Sequence, residues 1–353
     1  MQLSIVKEKR FKRTIDDHAD EERPAELKIS GKRRALDLNE GLTQTLPAGD
    51  GRLIPHVLAK TDGLSLEDWI TSARRAFDQM VQAHGGVLFR GFDMTQARFK
   101  TVVQSISDEL LDYSFGSTPR SLVEAQVYTS TEYPCDQEIP LHNEMSYAAR
   151  WPTRIWFYCD MPSNIGGATP IADSRRVYRS LPEEIRASFE EKGVLYVRRY
   201  DGLLDLSWQD SFRTTDPAVV EAECIRQGAS FEWLGKDTLV TTLVRPATLV
   251  LERSEQRVWF NQANLFHTSA LPLSVQAAIQ SGFKESELPR AAYFGDGSAI
   301  APDMVEYINK TYETCAYDVK WRRGDVLMLD NQRLAHGRRP FEGERRVLVA
   351  MAS

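Results

Sequence analysis

Cysteine is scarce in this 353-residue chain, and its four copies, Cys135, Cys159, Cys224 and Cys315, form no Cys-Xaa-Xaa-Cys pair. That spacing argues against a zinc ribbon or a dithiol redox centre and leaves free thiols in a reducing compartment. No apolar run is long enough to span a bilayer, and Met1–Arg10 lacks the apolar core of a secretion signal, so a cytoplasmic protein without a membrane partner is expected. A basic surplus is missing too: the net charge is −6 at pH 7, which gives no electrostatic reason to expect nucleic acid. Internal repeats, low-complexity tracts and linkers rich in Gly and Ser are also missing, which favours one large unit over two independent ones. What is present, 42% hydrophobic and 27% charged residues, is the composition of a soluble globular protein with a sizeable core.

Residues 1–45 show no clear apolar periodicity, and a basic cluster, Lys7–Arg13, runs directly into an acidic one, Asp16–Glu22. Opposed charge blocks of this kind predict a solvated, mobile extension, with residues 46–353 as a single domain. Ser65 is placed to cap a helix whose apolar stripe runs through Trp69, Ile70, Ala73 and Phe77. Further helices are expected from Thr95 to Leu111, Ser174 to Lys192, Pro217 to Gln227 and Asp303 to Thr314. Strands are expected at Gly86–Phe92, Thr153–Cys159, Thr169–Ala172, Gly193–Arg199, Thr238–Thr242, Ala247–Leu251, Arg257–Asn261, Tyr317–Trp321, Val326–Asp330 and Arg346–Met351. The resulting expectation is a mainly β fold with flanking helices, a double-stranded β-helix (jelly roll, cupin-like) with helical insertions.

The most specific feature is His142-Asn143-Glu144, within Ile139–Tyr147, together with the late segment Asp330-Asn-Gln-Arg-Leu-Ala-His336. Two imidazoles and one carboxylate form the facial set that holds non-haem Fe(II) and leaves positions open. On an extended strand, positions i and i+2 share a face, so His142 and Glu144 can meet one ion while Asn143 turns away. Of the four other histidines only His267, after a strand-like run, rivals His336, and it lacks the arginine pair that follows His336. That pair is Arg345-Arg346. A planar guanidinium grips a carboxylate through two parallel hydrogen bonds and stays charged in a shielded pocket. Adjacent strand residues face opposite sides, so one of the two enters the barrel, and Arg346 is the choice. Arg338 and Arg339 are expected to be solvated or to form an entrance rim.

These residues, with Leu206–Phe212, Val258–Gln262 and His336–Arg346, resemble the taurine dioxygenase (TauD/TfdA) family of Fe(II)/2-oxoglutarate oxygenases. Within it they are similar to the Glu-ligand branch of clavaminate synthase and the syringomycin-cluster hydroxylases. The resemblance covers about residues 85–353. It implies Fe(II) at His142, Glu144 and His336, 2-oxoglutarate held by Arg346 with Thr169 as a hydroxyl donor, and O2 as the second cosubstrate. The longer glutamate ligand also argues against a halogenase, which needs a small residue there to admit chloride. Relatives commonly hydroxylate an unactivated carbon of an amino acid, often for peptide natural products such as antibiotics. A second arginine for a sulfonate is missing, because the strand continues Val347-Leu-Val-Ala-Met351. The expected substrate is therefore an amino acid or an amino-acyl unit on a peptidyl carrier protein, oxidised near its β-carbon, with Tyr133, Gln137 and Glu138 as polar contacts. A tethered substrate would meet the cations of Arg338, Arg339 and Lys7–Arg13. Desaturation or ring closure by the same chemistry, a metal-dependent hydrolase, and a non-catalytic regulator of the same fold are the alternatives.

Overall fold

Three strands with long apolar stretches, Arg154–Met161, Val326–Asp330 and Arg346–Ala352, lie side by side within an eight-stranded sheet. They obey the two-residue period of extended chain. Ile155, Phe157, Cys159, Leu327, Leu329, Val347, Val349 and Met351 enter one core, and Trp156, Tyr158, Val326, Met328, Leu348, Ala350 and Ala352 enter another. The sheet is thus buried on both faces, which is why its central strands show no polar alternation. A computed structural model describes residues 41–353 except 108, 112–121, 125, 131–132, 203–205, 253, 271–275 and 278–286. The described residues belong to one compact unit. The expected mobile extension falls almost wholly outside the described residues, as does the basic cluster Lys7–Arg13. Thr43–Leu46, which begins inside the expected extension, is an edge strand paired with His56–Ala59.

One face of the large sheet is covered by helices Leu66–Ser72, Arg74–His84 and Gln96–Ile106. Ser65 caps the first by accepting from the Asp68 amide, and Thr95 caps the third. The continuous stripe expected from Trp69 to Phe77 is interrupted at Ala73, whose φ of −105° and ψ of 20° end one helix and open the next. Phe77, fully buried, stacks on Trp156 with ring centroids 6.1 Å apart. Phe77→Ala should cost about 3–5 kcal/mol through lost burial and a residual cavity, read as a lower denaturation midpoint in urea with an unchanged m-value.

The opposite face meets a four-stranded antiparallel sheet in the order Tyr317–Val319, Thr169–Asp173, Leu334–Arg338, Ile139–His142. Leu141, Ile171, Ala172, Val319, Leu334 and Ala335 from these strands join the core that holds Phe157 and Val349. A second antiparallel sheet of Ser230–Leu234, Thr238–Arg245, Val194–Tyr200 and Arg290–Phe294 extends that core. The architecture is mixed helix and strand, with more helix wrapped around the sheets than expected. The single helix expected from Ser174 to Lys192 is two, Ser174–Ser180 and Glu183–Lys192. Pro182 accounts for the break, because its ring drives Leu181 out of the helical region (ψ 143°).

Candidate metal and cosubstrate site

His142 closes the strand Ile139–His142, and His336 lies opposite it in register on Leu334–Arg338. Gly337 makes this approach possible: a Cβ there would stand 2.5 Å from the Ile139 carbonyl oxygen. The ring centroids of the two histidines are 4.7 Å apart. Glu144 Oε2 is 3.7 Å from His336 Nε2, and one ligand atom from each of the three residues falls within 4.8 Å of the others. All three are buried, at 8%, 3% and 5% exposure. His142 Nδ1 lies 2.8 Å from the Pro140 carbonyl oxygen, to which it can only donate, so in the neutral ring Nε2 carries the lone pair. The donor set suits Fe(II), and three ligands on one side leave room for others. Glu144 does not reach this point as a strand residue. The strand stops at His142, Glu144 lies in the turn that follows, and Met145 adopts a positive φ of 55°.

Arg345, not Arg346, lines the cavity beside the histidines, together with Ser130, Phe157, Thr169, Arg338, Val347 and Val349. This reverses the expected orientation. Arg345 shares the parity of inward-facing Val347 and Val349, whereas Arg346 points to the helical side, bonded to Gln96 and 3.5 Å from Asp160, its side chain 47% exposed. The Arg345 guanidinium donates to the Gly167 carbonyl (3.0 Å) and the Ser130 hydroxyl (3.3 Å). No carboxylate among the described residues pairs with it. Burial, reinforced by nearby Arg338, pushes it down to about 10, as expected for a desolvated cation without a counter-ion. Thr169, 3% exposed, accepts from the Trp321 indole N–H at 3.0 Å, which directs its own proton elsewhere.

The family described as taurine catabolism dioxygenase TauD, TfdA family matches residues 49–351 of this chain. The chain belongs to the TauD/TfdA family. It is an Fe(II)- and 2-oxoglutarate-dependent dioxygenase by that membership. The dapdiamide synthesis protein DdaC of Enterobacter agglomerans is 38% identical over 301 residues, covering 84% of this chain and 91% of its own. A clavaminate synthase-like protein of Arabidopsis thaliana is 33% identical over 297 residues, covering 80% and 86%. Among solved structures, PvcB of Pseudomonas aeruginosa aligns over 88% of this chain and 91% of its own with a TM-score of 0.51 at 15% identity, a likeness of fold.

Other residues expected at the TauD/TfdA site are placed differently. Tyr133, Gln137 and Glu138 are not part of the cavity lining. Arg338, expected in solvent or at an entrance rim, lines the cavity, is 5% exposed and donates to the carbonyls of Tyr133 (2.9 Å), Pro134 and Gln137 (2.8 Å), with its charge 5.0 Å from the Phe341 ring centre. Arg339 turns the other way into Glu138, Glu313 and Asp318. Glu138 is thus engaged by a cation of this chain, although burial raises its carboxyl above the ordinary range. His267 has both ring nitrogens engaged: Nδ1 accepts from the Ser269 amide (3.2 Å) and Nε2 donates to the Ile300 carbonyl (3.1 Å), while burial lowers its basicity. His267→Gln should therefore leave Mn(II) affinity within about twofold of wild type, since surrounding packing sets the cost of that change; isothermal titration checks it.

Proposed function

We propose that this dioxygenase hydroxylates an unactivated carbon, at or near the β position, of an amino acid or amino-acyl unit in natural-product biosynthesis. The observation that carries the reading is a cavity lined by two imidazoles and an arginine that no carboxylate among the described residues pairs with, with the Glu144 carboxylate within ligand reach of both imidazoles. His142, Glu144 and His336 would hold Fe(II). Arg345, in place of Arg346, would take the distal carboxylate of 2-oxoglutarate, with Thr169 donating a further hydrogen bond. Bound there, Fe(II) and 2-oxoglutarate supply the oxidation of a C–H bond by O2 with release of succinate and carbon dioxide. Phe157, Val347 and Val349 wall the cavity with apolar surface that excludes water. In this reading the large mixed sheet and the four-stranded sheet that carries His142 and His336 are the halves of a double-stranded β-helix, and residues 46–353 are one oxygenase domain.

The name of the dapdiamide synthesis relative supports a biosynthetic role. Arg338 and Arg339, one buried and one held by three carboxylates, offer little free positive charge to an acidic carrier protein. The third part of the expected docking surface, Lys7–Arg13, lies outside the described residues, so free and carrier-tethered amino acids both enter the test. The test supplies Fe(II), 2-oxoglutarate and O2 with free and carrier-loaded amino acids, and follows succinate together with product mass. Gain of one oxygen is expected; loss of two hydrogens would make the reaction a desaturation or ring closure. Stimulation by a sugar, lipid or nucleobase alone would overturn the amino-acid assignment, and no stimulation by any substrate would favour a regulatory protein.

A further inference from the structure

Glu144 stands outside any strand and next to a residue of positive φ, so no β-ladder holds its backbone. Amide side chains hold it instead. Asn331 Oδ1 accepts from the Glu144 N–H at 2.7 Å, and Asn331 Nδ2 donates to the Glu144 carbonyl at 2.9 Å and to Pro152 at 2.8 Å. The grip is reciprocated by the neighbouring residue, because Asn143 Nδ2 donates to the Asn331 carbonyl at 2.6 Å. Gln262 Nε2 donates to the Asn143 carbonyl at 2.8 Å, and the Ser174 hydroxyl to Asn143 Oδ1 at 3.2 Å. Asn143, Ser174, Gln262 and Asn331 are at most 2% exposed.

We infer that Asn331 is a positioning residue for the metal site, substituting for the missing ladder by clamping Glu144 on both its N–H and its C=O. The inference rests on Glu144 being a metal ligand, and it gives a physical role to two stretches that contain no ligand of their own, Asp330-Asn331 and Val258–Gln262. Since Oδ1 serves the amide and Nδ2 serves two carbonyls, only a primary amide of this length satisfies all three contacts. A buried polar group that loses such a partner is left unsatisfied, so the turn moves to find water and the carboxylate moves with it.

The test is Mn(II) titration of the metal-free full chain in a double-mutant cycle with Glu144. Asn331→Ala should weaken Mn(II) binding about 10–100-fold, the range seen when a ligand loses its outer-shell support, whereas in a Glu144→Ala background the same change should cost less than about twofold. Asn331→Asp, which keeps the acceptor for the Glu144 amide but not the donor, should fall between. Equal losses with and without the Glu144 side chain would show a merely structural role, and unchanged Mn(II) affinity in Asn331→Ala would remove the role altogether; either overturns the inference. If Asn331→Ala does not fold, Asn331→Asp is carried through the same cycle and judged by the same criterion. Loss of Mn(II) binding in neither Glu144→Ala nor Asn331→Ala would instead mean that Glu144 is not a ligand, a failure of the proposed site itself.

Discussion

His336→Ala should abolish succinate formation and lower Mn(II) affinity by more than about 100-fold, beyond the range that loss of an outer-shell partner produces. The imidazole lies within ligand reach of both His142 and Glu144, at a depth where it is 5% exposed. Removing it takes one of three donors from the ion and leaves a space walled by Phe157, whose ring is 5.2 Å away. The fold should survive, because a single truncation at such a site costs about 1–3 kcal/mol; an unchanged circular dichroism spectrum would show this. Retained turnover in His336→Ala would remove the proposed metal site.

Arg345→Ala should weaken 2-oxoglutarate binding by about 2–5 kcal/mol, the cost of leaving one member of a buried charge pair alone. Arg346→Ala should leave it unchanged, since that side chain lies on the helical face with Gln96 and Asp160. Lysine is an informative replacement. The burial that lowers the guanidinium would likewise lower an ammonium, which starts from a less basic reference. Because the neutral amine dominates above its own pKa, Arg345→Lys should lose 2-oxoglutarate affinity at a lower pH than wild type as pH is raised. Titration of 2-oxoglutarate into the Mn(II)-loaded variants separates the two arginines, and a loss confined to Arg346→Ala would return the role to that residue.

The two arginines also mark where the sequence is unreadable. That only one enters the cavity follows from strand geometry, but choosing between them requires knowing which alternate residues face inward. Val347-Leu-Val-Ala-Met351 is apolar at every position because both faces of its sheet are buried, so the pattern carries no phase. Glu144 illustrates a different limit: spacing brought it to the right neighbourhood for a reason that the backbone does not use, since the strand has already ended. The amide clamp on it was legible only as an uncommon density of Asn and Gln in apolar surroundings. Pro182, by contrast, was a visible signal for the break between two helices. Ala73 gave none, because an alanine ordinarily favours helix and here yields to packing. Arg338 looked solvated because charge alone says nothing about whether carbonyl oxygens await it.

The segment that Arg338 and Arg339 tie down also carries Cys135, which is exposed, whereas Cys159, Cys224 and Cys315 are buried. Burial pushes the thiol of Cys159 up to about 12 and that of Cys224 up to about 11, so both stay protonated and shielded in neutral solution. The wild-type protein thus has one chemically addressable position, a few residues along the chain from His142. A single thiol-reactive fluorophore attached there would report on the segment bonded to Arg338, a residue of the cavity lining, in the native sequence without any engineered cysteine.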